Sequence, residues 1–251
     1  MIQELITILK NLKCYGMAQA LETQLDQPDL YRNLTFFERL ELLVQQEQTL
    51  RENKRLDRLL KQAKLKMPAH IKDIKTSQSR GITREGMVQL QSLRWVTNHR
   101  NILITGPTGS GKTYLACALA DHCCVNMITA RYYRLPRLLE EFTLTHATGS
   151  FQKFLSQLQK IQVLIIDDWA LDTLKSSDRH DLLEIFEDRY NSKTTILTSQ
   201  YPVEQWHNRI GDPTMADAIL DRIIHNGIRV PLAGDSLRKT MNALDESEHL
   251  T

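Results

Sequence analysis

Apolar and polar positions fall into two regimes along the chain. In the first, Leu5, Ile8, Leu9 and Leu12, then Met17, Ala20 and Leu21, recur at helical spacing on either side of a break at Tyr15-Gly16, which predicts a helical hairpin. A longer helical stretch is expected over 35–65, opened by the capping box Thr35-Phe36-Phe37-Glu38 and carried by Leu40, Leu43, Val44, Leu50, Leu56, Leu59 and Leu60. Met67-Pro68 ends it, and the polar run 72–80 reads as a linker. Residues 1–70 are therefore expected to form a small all-helical N-terminal domain and 71–251 a second domain.

In the second regime, short β-branched runs alternate with amphipathic stretches. Strands are expected at 101–105, 128–134, 163–167, 194–199 and 228–232, with helices at 114–124, 136–146, 151–160, 177–190 and 214–225. A β-α series of this kind predicts a five-stranded parallel sheet covered by helices, with ligand at the carboxyl ends of the strands.

Chemistry enters at the first strand-to-helix junction. Residues 106–113 read Gly-Pro-Thr-Gly-Ser-Gly-Lys-Thr, a complete phosphate-binding loop. Gly106, Gly109 and Gly111 let backbone N–H groups curl around phosphate oxygens, while Pro107, Thr108 and Ser110 complete the cradle. Lys112 can reach the β- and γ-phosphates, and the Thr113 hydroxyl can ligate Mg²⁺. The expected ligand is ATP with Mg²⁺.

The run Val163-Leu164-Ile165-Ile166-Asp167-Asp168 is an apolar strand ending in two carboxylates, the second element such a loop requires. Asp167 is expected to hold Mg²⁺ and Asp168 to polarise the attacking water. One β-α unit separates the two motifs, which argues for the additional-strand type of ATPase. The next strand ends in Thr198-Ser199-Gln200, so Gln200 is the candidate γ-phosphate sensor, with Ser199 second and a plain strand-end cap as the alternative. Arg222 sits near the end of a helix, where it is either a surface ion-pair partner or, in a head-to-tail assembly, a group reaching into a neighbour's site.

The formal charge of +2 is too mild to prove a polyanionic partner. Locally, Arg51, Lys54, Arg55, Arg58, Lys61, Lys64 and Lys66 face only Glu52 and Asp57, so that stretch is a solvated face or a contact for phosphate or an acidic protein. Cys14, Cys117, Cys123 and Cys124 form no C-x-x-C pair and read as reduced thiols, and no zinc-type His/Cys pattern occurs. The start Met-Ile-Gln-Glu lacks the order of a signal peptide, and no apolar run approaches the roughly 20 residues that cross a bilayer. A cytoplasmic location without membrane contact is expected.

Taken together, these residues resemble the IstB family of insertion-sequence ATP-binding proteins, AAA+ ATPases near DnaC and DnaA. The resemblance rests on Arg51-Glu52-Asn53-Lys54-Arg55-Leu56, Gly81-Ile82-Thr83-Arg84-Glu85, Leu93-Arg94-Trp95-Val96, the phosphate loop, Ile165-Ile166-Asp167-Asp168-Trp169, Thr198-Ser199-Gln200 and Asp221-Arg222. It implies a three-layer AAA+ domain and a homo-oligomer with ATP at its interfaces, in which Arg222 acts in trans. It also implies largely sequence-independent binding of double-stranded DNA, with Lys153 and Lys160 as candidate phosphate contacts, and recruitment of a partner transposase. Asp168, where most AAA+ proteins carry the longer Glu, implies slow hydrolysis. Only about twenty residues follow the last strand, too few for the helical lid of many relatives, and Arg238 is a weak substitute for a second sensor. The rival readings are a DnaC-type helicase loader, a small-molecule kinase and an architectural DNA-bending protein.

Overall fold

The protein is described by a computed structural model over residues 2–234. Arg238 and the acidic tail from Asp245 lie outside the described residues. The chain divides into two compact units, Met1–Arg58 and Leu59–Thr251, and the dividing point falls inside one long helix.

The first unit holds α1 (Ile2–Asn11), α2 (Tyr15–Asp26), the single turn α3 (Pro28–Tyr31) and most of α4 (Phe36–Ala63). The break falls at 12–14, just before the expected Tyr15-Gly16, where Lys13 takes a left-handed backbone (φ +60°), and Gly16 in the first turn of α2 is required by packing. A Cβ on Gly16 would run into the backbone at Gln46 and Glu47, and the absent side chain lets Glu47 accept hydrogen bonds from the N–H groups of Gly16 (2.6 Å) and Met17 (3.2 Å). The capping box forms as expected. Thr35 Oγ1 accepts from the Glu38 N–H at 3.3 Å, and Glu38 Oε2 accepts from the Thr35 N–H at 2.7 Å. The helix ends at Ala63, short of Pro68, because Lys64 takes a left-handed backbone (φ +48°).

In the second unit α5 (Arg84–Gln91) and α6 (Arg94–Thr97) precede β1 (Asn101–Thr105). There follow α7 (Lys112–Val125), β2 (Ala130–Arg134), α8 (Leu135–Ala147), α9 (Phe151–Gln159), β3 (Val163–Asp167) and α10 (Ser176–Arg189). The series closes with β4 (Thr194–Ser199), α11 (Trp206–Ile210), α12 (Pro213–Ile224) and β5 (Gly227–Pro231). All neighbouring strands pair in parallel, in the order β2-β3-β4-β1-β5. Leu103, Leu164, Ile166 and Leu197 point into one core with α8 to α12. Alternation sends Ile102, Ile104, Ile165 and Ile196 to the other face, where α7 packs. Helices on both faces explain why the central strands read as unbroken apolar runs. Cys117, Cys123 and Cys124 are buried on α7 as reduced thiols.

Burial of polar groups is settled locally. Arg189, 3% exposed, donates to Thr195 Oγ1 and to the carbonyls of Leu158, Ile161, Gln162 and Thr194, tying the starts of β3 and β4 to the end of α10. The polar run 72–80 is also held. Ser77 bridges Ile82, the Ala233 N–H donates to the Arg80 carbonyl at 3.0 Å, and Gly81 abuts the Pro231 carbonyl so closely that a Cβ would overlap it. No helical lid follows β5 among the described residues.

Candidate functional site

The strand order decides what meets the loop 106–113. β4 lies between β1, which feeds the loop, and β3, which ends in the carboxylates, so the end of β4 touches both. The Gly106 N–H donates to the Ser199 carbonyl at 3.2 Å. With φ at +149° and the Leu232 carbonyl where a Cβ would stand, position 106 accepts only glycine. Gly111, at φ +94°, starts α7, so its unpaired N–H groups open onto the loop.

Lys112 is 8% exposed, and its ammonium donates to the carbonyls of Gly106 (2.7 Å) and Pro107 (2.8 Å). Burial lowers its pKa, while the charges of Asp167 and Asp168 act the other way. The Ser110 hydroxyl is buried without a hydrogen-bond partner. An orphaned hydroxyl inside a glycine-rich cradle at a helix N-terminus fits an anionic ligand such as a triphosphate.

Asp167 is 1% exposed at the end of β3. Thr113 Oγ1 lies 3.0 Å from both of its carboxylate oxygens, the Tyr132 hydroxyl donates to Oδ2 at 2.6 Å, the Thr198 hydroxyl donates to Oδ1, and Lys66 Nζ stands 3.6 Å away. A carboxylate beside a hydroxyl is the hard-oxygen set that Mg²⁺ takes. Burial, reinforced by the bond to Asp167 and that residue's charge, pushes the Tyr132 hydroxyl well above its ordinary value, so it stays a donor. Asp168 takes a left-handed backbone (φ +63°), which Asp tolerates better than most residues. Arg134 holds its carboxylate through Nε and Nη2, both at 2.9 Å.

Gln200 Oε1 accepts from Thr108 Oγ1 at 2.8 Å, so this side chain touches the loop itself. Ser199 is committed elsewhere, donating to the Trp169 carbonyl and accepting from the Tyr201 N–H. Arg222 does not join this group. Its carbonyl accepts from Asn101, the first residue of β1, whereas the loop leaves from the last, about 13 Å away along the strand. Its guanidinium pairs with Glu187 and the Ala218 carbonyl. Lys153 and Lys160 are exposed at the two ends of α9.

Tyr132, Arg134, Thr198 and Lys66 surround the carboxylates without having been assigned there from the sequence. Tyr132 and Arg134 are two apart on β2, and Arg134 lies in register with Asp167. Period-two reading would have found both once β2 was placed beside β3. Lys66 carries no such signal, because it reaches the site from outside the sheet.

Residues 7–244 match the family described as IstB-like ATP binding protein. An insertion sequence ATP-binding protein of Sinorhizobium fredii is 42% identical over 234 residues, covering 93% of this chain and 94% of its own. Two solved structures are similar in fold. The DnaC helicase loader has a TM-score of 0.55 at 19% identity, covering 66% of this chain and 97% of its own. The replication initiator DnaA bound to AMPPCP and single-stranded DNA has a TM-score of 0.57 at 17% identity, covering 74% and 56%. The shared architecture is the AAA+ P-loop fold.

Proposed function

Because the chain belongs to the IstB-like ATP-binding family, we propose that it is an ATP-dependent transposition helper that assembles on double-stranded DNA, remodels it and recruits or stimulates a partner transposase. Hydrolysis of ATP regulates that assembly. The observation that carries the nucleotide chemistry is the 3.0 Å approach of the Thr113 hydroxyl to Asp167, which joins the loop to the acidic strand end. Relatedness to an insertion sequence protein across 93% of the chain supports the pathway; the DnaC helicase loader shares the fold at 19% identity only.

In this reading Lys112 leaves the loop carbonyls to neutralise phosphate charge, and Thr113 with Asp167 holds Mg²⁺. When bound, Mg²⁺ supplies charge neutralisation on the phosphates and orients them for in-line attack. Asp168 accepts the proton of the attacking water, which requires it to exchange Arg134 for that water. A short side chain already held by an arginine makes hydrolysis slow and open to control. Gln200 senses the γ-phosphate from the end of β4. Arg222, at the far end of β1, serves the site of a second copy, and its pairing with Glu187 is the resting state. DNA is held by its backbone with little sequence preference, so affinity falls steeply with salt.

The decisive experiment mixes two defective proteins. Lys112→Ala and Arg222→Ala should each lose ATP turnover on DNA, and an equimolar mixture should regain a measurable fraction, since an interface with both intact halves can form. A mixture as inactive as its parts would refute action in trans. Co-purification with a replicative helicase and indifference to the transposase would overturn the pathway.

A further inference from the structure

From the last turn of α4, the segment 62–70 is laid along α7 like a strap. Arg131 Nη1 donates to the Gln62 carbonyl at 2.8 Å, and His70 Nδ1 stands 3.0 Å from Asp121 on α7. The backbone N–H groups of Lys66 and Met67 face the thiol of Cys117, which burial pushes up and they partly pull down. Thr113, Cys117 and Asp121 are spaced by four and share one face of α7, the face the strap follows. Ala63 and Ala69, 0% and 2% exposed, seat it at both ends.

This anchoring delivers one side chain to the chemistry. Lys66, 35% exposed, places its ammonium 3.6 Å from Asp167 Oδ2, an oxygen that also accepts from Thr113 and Tyr132. A lysine whose strap is fixed at three points has its charge directed at the carboxylate rather than dispersed in solvent.

We propose that Lys66 is a tethered cation that competes with Mg²⁺ for Asp167 and thereby sets the Mg²⁺ requirement of nucleotide binding. The inference rests on reading this loop as a Mg²⁺·ATP site. The physical ground is that an ammonium and a divalent ion at one buried carboxylate repel each other. Metal loading displaces the Lys66 side chain, and an empty site keeps Asp167 neutralised without metal. Lys66 thus belongs to the site, apart from the basic stretch that precedes it.

The test uses the full chain as wild type, Lys66→Met, which keeps the aliphatic stem, and Lys66→Gln as a second neutral variant. Lys66→Arg keeps the charge. Binding of a fluorescent ATP analogue is followed through a Mg²⁺ titration, with no turnover measured. Both neutral variants should reach half-maximal binding at roughly three- to tenfold lower Mg²⁺, and Lys66→Arg should stay near wild type. An unchanged midpoint in folded Lys66→Met and Lys66→Gln would overturn the proposal. So would weaker binding at saturating Mg²⁺, which would make Lys66 a phosphate ligand. Wild type that binds no nucleotide at any Mg²⁺ concentration would remove the ATP reading, and the inference with it.

Discussion

Replacing Tyr132 by Phe deletes one oxygen and leaves the ring in place, which isolates the bond to Asp167. That bond is 2.6 Å long and its acceptor is 1% exposed, so water cannot take over the role. Hydrogen bonds to charged groups contribute about 1.5–3 kcal/mol. Thr113, Thr198 and Lys66 remain on the carboxylate, so the lower half applies and a loss of about 2 kcal/mol is expected. For a domain of this size that corresponds to a fall of about 4–8 °C in Tm. The assay is urea unfolding followed by tryptophan fluorescence without nucleotide. Trp95, Trp169 and Trp206 all lie in the second unit and are at most 2% exposed, so the signal reports that unit. Adding Thr198→Val should cost more than the sum of the single losses, by about 1 kcal/mol, because the two hydroxyls serve opposite oxygens of one carboxylate. Tyr132→Phe within about 0.5 kcal/mol of wild type, or strict additivity, would refute the claim that Asp167 is held by a buried network.

The same hydroxyl makes a pH prediction. Its folded pKa is raised above the unfolded value near 10, so the folded state keeps a proton that the unfolded chain releases. Wild type should lose stability as pH rises above about 10, and the gap to Tyr132→Phe should narrow there in denaturation series. Gly106→Ala forces a Cβ against the Leu232 carbonyl at φ +149° and should cost about 3 kcal/mol, with nucleotide affinity falling as well; unchanged affinity would contradict the cradle. Arg189→Met removes the guanidinium donor from four carbonyls of the sheet margin, of which those of Leu158 and Gln162 keep a backbone partner, and should cost about 3 kcal/mol, with Arg189→Lys recovering only part, both measured by urea unfolding. Thr35→Ala should cost about 1 kcal/mol and raise amide hydrogen exchange over the first turn of α4, with little change in tryptophan fluorescence.

Local chemistry made the nucleotide-binding unit legible. A strand buried on both faces must be apolar throughout, and a loop that wraps phosphate must be spelled with glycine, so both announce themselves in a few consecutive residues. Three residues around Asp167 and Asp168 were hidden for the opposite reason. Tyr132 and Arg134 matter only because β2 lies next to β3, and Lys66 only because a strap runs along α7. Neither neighbourhood is encoded within a short window. Arg222 was visible as a residue, but its distance from its own loop follows from Asn101 standing at the opposite end of β1.

The residues just after β5 bear on how the protein can be handled. The Leu232 N–H donates to the Thr105 carbonyl at 2.7 Å, the Leu232 carbonyl walls the back of Gly106, and the Ala233 N–H reaches Arg80. These few atoms staple the last strand to the root of the phosphate loop. A protein shortened to Pro231 would keep every strand of the sheet and lose the backing of its nucleotide cradle. Fluorescent or affinity fusions should therefore be joined beyond Gly234, where they leave that staple intact.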